Sequence, residues 1–264
     1  MKFIKKLIFI VVFTATFQNA DAQATRLFTN NENGWFMYFG THKVSEKWGV
    51  HLEAQFRGAD IIKSEQQYLF RTGVNYHFNP QTFATVGYCY VHTAQYGGFP
   101  AQSAFPENRI WEQIQVKNQL GTVELVNRFR MEQRFVNAPT LVGVLGNVYE
   151  PGDAVYTNRF RVLNRISIPF KDKTIQDKSF YVSAYDELFV NFGKNVALNI
   201  FDQNRIYIAL GYKIPKIGRL EIGYLNQRII KSDGIKVENN RTLQVGLVSN
   251  IDFYKKEKSA PVTK

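Results

Sequence analysis

The chain has one cysteine, Cys89, among its 264 residues. A single thiol cannot close an internal disulfide, so stability after export would have to come from packing and hydrogen bonding. No cysteine stands just after the expected cleavage point, which excludes a lipoprotein anchor, and Cys89 reads as a small strand residue rather than a reactive thiol. Beyond residue 22 no apolar run approaches the ~20 residues of a spanning helix, and helical periodicity of useful length is missing. There are only four histidines, His42, His51, His77 and His92. No two are close in sequence and no acidic cluster accompanies them, so metal-ligand spacing is absent. His51 and His77 fall on inward strand faces without an adjacent serine or cysteine, so no catalytic residue is assigned and no cofactor is expected. Gly-rich phosphate signatures are absent as well, and Gly97-Gly98 reads as loop flexibility. Glu107 and Asp153, each beside proline or glycine, read as turn residues.

What is present begins with residues 1–22. Lys2, Lys5 and Lys6 precede an 11-residue apolar run from Leu7 to Phe17, followed by the small-x-small sequence Ala20-Asp21-Ala22. This is the pattern of a cleaved signal peptide, with the mature chain starting at Gln23. Aromatic residues make up 15% of the chain, with 22 Phe and 14 Tyr, while the mean hydropathy is only −0.26. That pairing suits strands with one aromatic-edged apolar face and one polar face. A soluble β-sandwich shows similar alternation, so composition favours a barrel without deciding it. The leader holds three lysines and Asp21, so the formal charge of +11 becomes +9 on the mature chain. For an exported protein such a surplus points to lipopolysaccharide phosphates and anionic solutes, not to nucleic acid.

Strict alternation dominates the remainder. From Trp48 to Arg57, Trp48, Val50, Leu52, Ala54 and Phe56 form one face and His51, Glu53, Gln55 and Arg57 the other, because successive strand side chains point to opposite sides. Tyr68, Phe70, Thr72, Val74, Tyr76 and Phe78 likewise oppose Arg71, Asn75 and His77. Eleven such segments are recognisable, at 35–41, 48–57, 67–78, 84–90, 109–118, 123–135, 155–168, 180–191, 203–213, 219–229 and 241–252. Short links such as Asn79-Pro80 and Leu120-Gly121 alternate with long ones such as 58–66, 93–108, 136–154, 192–202 and 230–240. Short periplasmic turns and longer outer loops give this rhythm in outer-membrane barrels. If the long links are outside, one further upward strand is needed, and residues 24–29 are the available chain. The expected fold is therefore an all-β, antiparallel transmembrane β-barrel spanning 23–254, of 12 strands with both ends in the periplasm, or 10 if the ends do not pair. The last strand is expected to finish at Ile251-Asp252-Phe253-Tyr254, an aromatic end suited to the barrel-assembly machinery. The polar tail 255–264 cannot bury a core.

The inward faces concentrate charge. Glu124, Arg128, Arg130, Glu132 and Arg134 alternate with Leu125, Phe129, Met131 and Phe135, and Arg159, Arg161 and Arg165 alternate with Phe160, Val162 and Ile166. Later strands add Glu187, Asn191, Gln203, Arg205, Tyr207, Glu221 and Gln227. The candidate lumen network is Arg128, Arg130, Glu132, Arg134, Arg159, Arg161, Arg165, Glu187, Arg205 and Glu221. It could be a structural plug, since arginine and carboxylate satisfy one another by bidentate geometry. Equally, the arginine surplus could form an anion-attracting constriction.

The segments EQIQVKNQLG, NRFRMEQRF, YTNRFRVLNRISIPF, YDELFVNFG, FDQNRIYIALGY and LEIGYLNQ resemble the domain-of-unknown-function 2490 family of outer-membrane barrels from Gram-negative bacteria. The resemblance runs from about Trp35 to the end of the last strand. It implies an inward network at Arg128, Arg130, Glu132, Arg134, Arg159, Arg161, Glu187, Asp202, Gln203, Asn204 and Arg205, and implies no activity. The leading expectation is a monomeric outer-membrane barrel in contact with lipid and lipopolysaccharide. An outer-membrane enzyme acting on lipid or envelope polymers is the alternative, and a soluble periplasmic ligand-binding barrel is the third.

Overall fold

The alternating segments become strands that run longer than their sequence signal. The computed structural model describes residues 26–142 and 148–254; the expected signal peptide at 1–22 and the tail at 255–264 lie outside the described residues. In chain order the strands are β1 (Leu27–Lys43), β2 (Trp48–Ala59), β3 (Ser64–His77), β4 (Thr82–Thr93), β5 (Phe105–Leu120), β6 (Val123–Val136), β7 (Pro139–Val142), β8 (Val148–Pro151), β9 (Val155–Pro169), β10 (Phe180–Phe192), β11 (Phe201–Ile214), β12 (Gly218–Ile230) and β13 (Lys236–Ser249). All but β7 and β8 close into one barrel in the order β1-β13-β12-β11-β10-β9-β6-β5-β4-β3-β2, and β7 and β8 form a separate hairpin inside the longest link.

The barrel thus has 11 strands, which corrects the expected 12 and also the alternative of 10. Residues 24 and 25 lie outside the described residues, and from Leu27 onward β1 is one continuous strand rather than two. The polar run Asn30-Asn31-Glu32-Asn33-Gly34 looks like a turn, yet it stays extended because the lumen takes its amides. Asn33 is buried, and Asn31 Nδ2 donates to Asn240 Oδ1 across the seam at 2.8 Å. With an odd number, first and last strands must pair in parallel, and β1 and β13 do so from Leu27↔Lys236 to Gly40↔Ser249. Every other barrel pairing is antiparallel. The two ends of the described chain consequently lie at opposite ends of the barrel.

One end carries the links 44–47, 78–81, 121–122, 170–179 and 215–217; the other carries 60–63, 94–104, 137–154, 193–200 and 231–235. The length asymmetry persists, although the link expected at 58–66 shrinks to 60–63 because β2 and β3 extend into it. Local chemistry makes the short turns. Asn79 Oδ1 accepts from the backbone N–H groups of Gln81 (2.9 Å) and Thr82 (2.8 Å), an Asx-turn that reverses the chain before β4. β13 ends at Ser249, not at Tyr254. The chain beyond it is instead tied to β1: Ile251 N donates to His42 Nδ1 at 3.2 Å and Phe253 N to Lys43 O at 2.7 Å.

The pleat separates the two faces. Phe70, Val74, Val86, Ile114, Ile206, Ile208, Ile222 and Leu243 stand exposed on the outer wall. Inside, two small apolar clusters anchor the polar fill: Trp35, Met37, Tyr207, Ala209 and Leu225, and Leu69, Cys89, Val91 and Trp111. Gly211 makes room for one large inward ring, since a Cβ there would sit 2.2 Å from Tyr181.

Candidate functional site

The inward charges of nine strands converge in the lumen. Glu132 on β6 is at its centre, with 0% exposure. Its Oε1 accepts from Arg161 Nη1 at 2.7 Å and Arg71 Nη2 at 3.2 Å; its Oε2 accepts from Arg159 Nε (2.9 Å) and Nη2 (2.6 Å). Arg109 Nη1 stands 3.8 Å away. Arg71 reaches Glu132 from β3, past β4 and β5, and so bridges the lumen, whereas Arg159 on the adjacent β9 is its direct cross-strand partner. Charge-assisted bonds of this kind are among the strongest a polar interior can make.

Other carboxylates extend the network toward both mouths. Glu53 on β2 accepts two bonds from Arg71 Nη1, at 2.7 and 2.6 Å, and one from Gln55. Glu187 on β10 receives Arg128 (2.7 Å) and Arg161 (3.0 and 2.7 Å), with Arg205 at 3.9 Å. Toward the long-link end, Glu107 is gripped by Arg109 (2.6 and 3.0 Å) and Arg134 (2.5 and 3.0 Å), and Asp202 accepts from Arg159 Nη1 at 2.9 Å. Toward the short-turn end, Glu221 binds Arg165 and the Tyr181 hydroxyl (2.6 Å), while Glu124 binds Arg219 (2.6 and 2.9 Å) and Lys117 (2.7 Å).

Two arginines, Arg130 and Arg57, lack a close carboxylate. Arg130, 1% exposed, spends Nε and Nη2 on Gln113 Oε1 and lies 4.7 Å from the Trp111 ring centre. Arg57 donates to Gln55 and Gln67 and stacks 4.1 Å above Trp35, with Arg205 at 5.2 Å from the same ring. Amide oxygens and aromatic faces stabilise these cations without neutralising them.

A cavity of about 450 Å³ threads this network. Its wall includes Thr41, Lys117, Glu124 and Asn250 at the short-turn end and Gln67, Thr93, Tyr96 and Lys231 at the other. Eleven arginines and two lysines line it against five glutamates and one aspartate. The link 94–104 folds over the long-link mouth toward β1 and β13. Gly98 N donates to Asn31 Oδ1 (3.1 Å), and a Cβ at Gly98 would lie 2.2 Å from Thr29 Oγ1. Gly97-Gly98 therefore serves a close backbone approach, not flexibility. Tyr96 hangs inward from this link, 3.5 Å from Glu238, and burial pushes its phenol pKa up.

All ten candidate residues, Arg128, Arg130, Glu132, Arg134, Arg159, Arg161, Arg165, Glu187, Arg205 and Glu221, face this lumen. Asn204, implied inward by the resemblance, faces outward instead: Asp202 and Gln203 are both buried beside a register shift at Phe189/Val190, and alternation resumes from Gln203. Glu107 is not a turn residue but a buried strand carboxylate. Its neighbour Pro106 disguised it, because β5 begins at Phe105, ahead of its apolar alternation. Glu53, Arg57, Arg71 and Arg109 belong to the network too, and inward phase was the signal that could have found them. His51 Nε2 stands 3.2 Å from Glu53 Oε2, and Cys89 is packed beside Leu69, Val91 and Trp111. Among the described residues no group of three or more His, Cys, Asp or Glu is placed to hold a metal.

A family model described as "Protein of unknown function (DUF2490)" matches residues 32–239. No curated protein matches the sequence. Among solved structures, one described as the NanC porin in a rhombohedral crystal form is 10% identical, with a TM-score of 0.43, covering 78% of this chain and 92% of that one. The siderophore receptor PirA from Pseudomonas aeruginosa is 8% identical, with a TM-score of 0.27, covering 71% of this chain and 32% of that one.

Proposed function

The chain belongs to the DUF2490 family of proteins of unknown function, and from that premise we propose an integral outer-membrane β-barrel of a Gram-negative envelope with a narrow, anion-favouring lumen. The observation that carries the reading is the cavity wall, lined from both ends with thirteen basic side chains against six carboxylates, an excess that persists when the buried Glu132 and Glu238 are added. Such an imbalance holds a positive potential in a low-dielectric enclosure and concentrates anions there. The apolar outer wall and the signal-peptide pattern of residues 1–22 support the membrane assignment. Arg228 and Arg241, exposed on the outer wall near the long-link end, suit lipopolysaccharide phosphates.

A structural plug is the second reading. It is favoured by Glu132, where three arginines converge in the middle of the lumen. Single-channel recording in a planar bilayer separates the two, comparing the mature protein with Arg57→Ala and Arg130→Ala. Neither substitution orphans a carboxylate, so both variants should fold. Anion-favouring steps whose selectivity falls in the variants support the path; a silent bilayer containing folded barrel makes the network a plug.

A further inference from the structure

The outer wall is not uniformly apolar. Asn127 on β6, Asn164 on β9 and Asp186 on β10 are direct register partners on three adjacent strands. They face outward, because the neighbouring Arg128, Arg165 and Glu187 line the lumen side. Each is flanked along its strand by apolar outward residues: Leu125 and Phe129, Val162 and Ile166, Ala184 and Leu188. The polar patch therefore lies inside the apolar band and not at its rim. The opposite wall, on β2 to β4, presents Leu52, Phe70, Val74 and Val86 at comparable positions.

Within the patch only part of the hydrogen-bonding capacity is used. Asn127 Nδ2 donates to Asn164 Oδ1 at 2.7 Å, and Asn204 Nδ2 donates to Asp186 Oδ1 at 2.5 Å. The Asn164 amide nitrogen and Asp186 Oδ2 are left as donor and acceptor side by side. Polar groups in a hydrocarbon band are tolerated when another protein surface satisfies them.

We propose that this patch is the interface with a second copy of the chain, giving a two-fold dimer instead of the monomer expected from sequence. The proposal rests on the membrane reading above. The occupant follows from self-complementarity. A two-fold axis parallel to the barrel axis through Asn164 brings β6 of one copy opposite β10 of the other, so amides flank a carboxylate on both sides. Donor and acceptor are matched by the patch itself, with no different partner chemistry required.

The test uses the full chain in membranes and then in detergent. Asn164→Cys is oxidised in isolated outer membranes alongside Phe70→Cys on the opposite wall; Cys89, fully buried, stays unreactive. A band at twice the protomer mass for Asn164→Cys alone is the expected result. In detergent, wild type should sediment as a dimer and the double variant Asn164→Leu/Asp186→Leu as a protomer. Heat-modifiable migration on gels verifies that the double variant is folded, as leucine on an apolar wall should permit. Absence of the cross-link, with wild type sedimenting as a detergent-bound protomer, overturns the dimer and leaves the membrane barrel standing. A cross-link to a species of other mass overturns the second copy in favour of a different protein. Recovery of the wild type in the aqueous fraction without detergent overturns both readings together.

Discussion

Replacing Glu132 by glutamine tests whether the centre of the lumen behaves as a dry protein interior or as a solvated channel. The amide keeps one acceptor oxygen but presents an NH₂ group in place of the other. Placed toward Arg159, that group faces Nε and Nη2, which now stand at 2.9 and 2.6 Å from Oε2; placed toward Arg161 and Arg71, it faces donors at 2.7 and 3.2 Å. Either orientation loses two charge-assisted bonds, each worth ~1.5–3 kcal/mol, and opposes donor to donor. It also adds one to the positive charges left without a carboxylate. Removing one member of a buried ion pair costs ~3–5 kcal/mol, and the two routes to the magnitude agree. Urea unfolding in lipid vesicles, followed by tryptophan fluorescence, should therefore show Glu132→Gln destabilised by ~3–5 kcal/mol. Adding Arg161→Gln should recover part of that loss, since it removes one of the stranded charges and non-additivity is expected for members of one network. A Glu132→Gln barrel within ~1 kcal/mol of wild type would refute the reasoning. The guanidinium groups would then be hydrated, and the centre would be water rather than packed salt bridge.

Gly211→Ala should cost ~1–3 kcal/mol by overpacking, because its Cβ would fall 2.2 Å from the Tyr181 ring and force the phenol off Glu221; the same unfolding assay reads it, and an unchanged midpoint would contradict the packing argument. Tyr96→Ala should widen the long-link mouth, where Tyr96 lines the cavity wall, and raise single-channel conductance without shifting the unfolding midpoint. The parallel closure of β1 on β13 makes a topological prediction. An epitope inserted directly before Leu27 should label on intact cells, and one inserted directly after Tyr254 only after permeabilisation. Labelling of both, or of neither, would reject the odd-stranded closure, and the reversed pattern would reject the outward orientation of the long links.

Alternation was the legible part of the fold because it is a local property: a strand exposed to different media on its two faces must repeat with period two. Where both faces are polar, as at residues 30–33 of β1, the signal vanishes and the chain resembles a turn. The strand count failed there, since whether Leu27 begins a separate strand or continues into Trp35 depends on what Asn31 and Asn33 meet. Asn31 bonds Asn240 and Asn33 lies in register with Thr242, both on β13 and more than two hundred positions away in sequence. Glu107 failed for a related reason: β5 extends beyond its apolar alternation, so a buried carboxylate sits where only Pro106 was visible.

The candidate site shows the same division between local phase and non-local closure. Inward phase alone placed Arg128, Arg130, Glu132, Arg159, Arg161, Glu187 and Glu221 on one surface, but not which of them touch. That depends on strand number and tilt, which set how far each strand is displaced around the barrel. Arg71 on β3 meets Glu132 on β6, and Arg219 on β12 meets Glu124 on β6. Neither pair is adjacent in the sheet, and both exist because an 11-stranded lumen is narrow enough for an arginine to span. Adding a twelfth strand would widen the lumen and lengthen these bridges, as barrel diameter grows with strand number. The parallel seam, slightly weaker per residue than an antiparallel one, and the central ion-pair network are therefore coupled features. The closure that leaves β1 beside β13 also holds Arg71 within reach of Glu132 across the lumen.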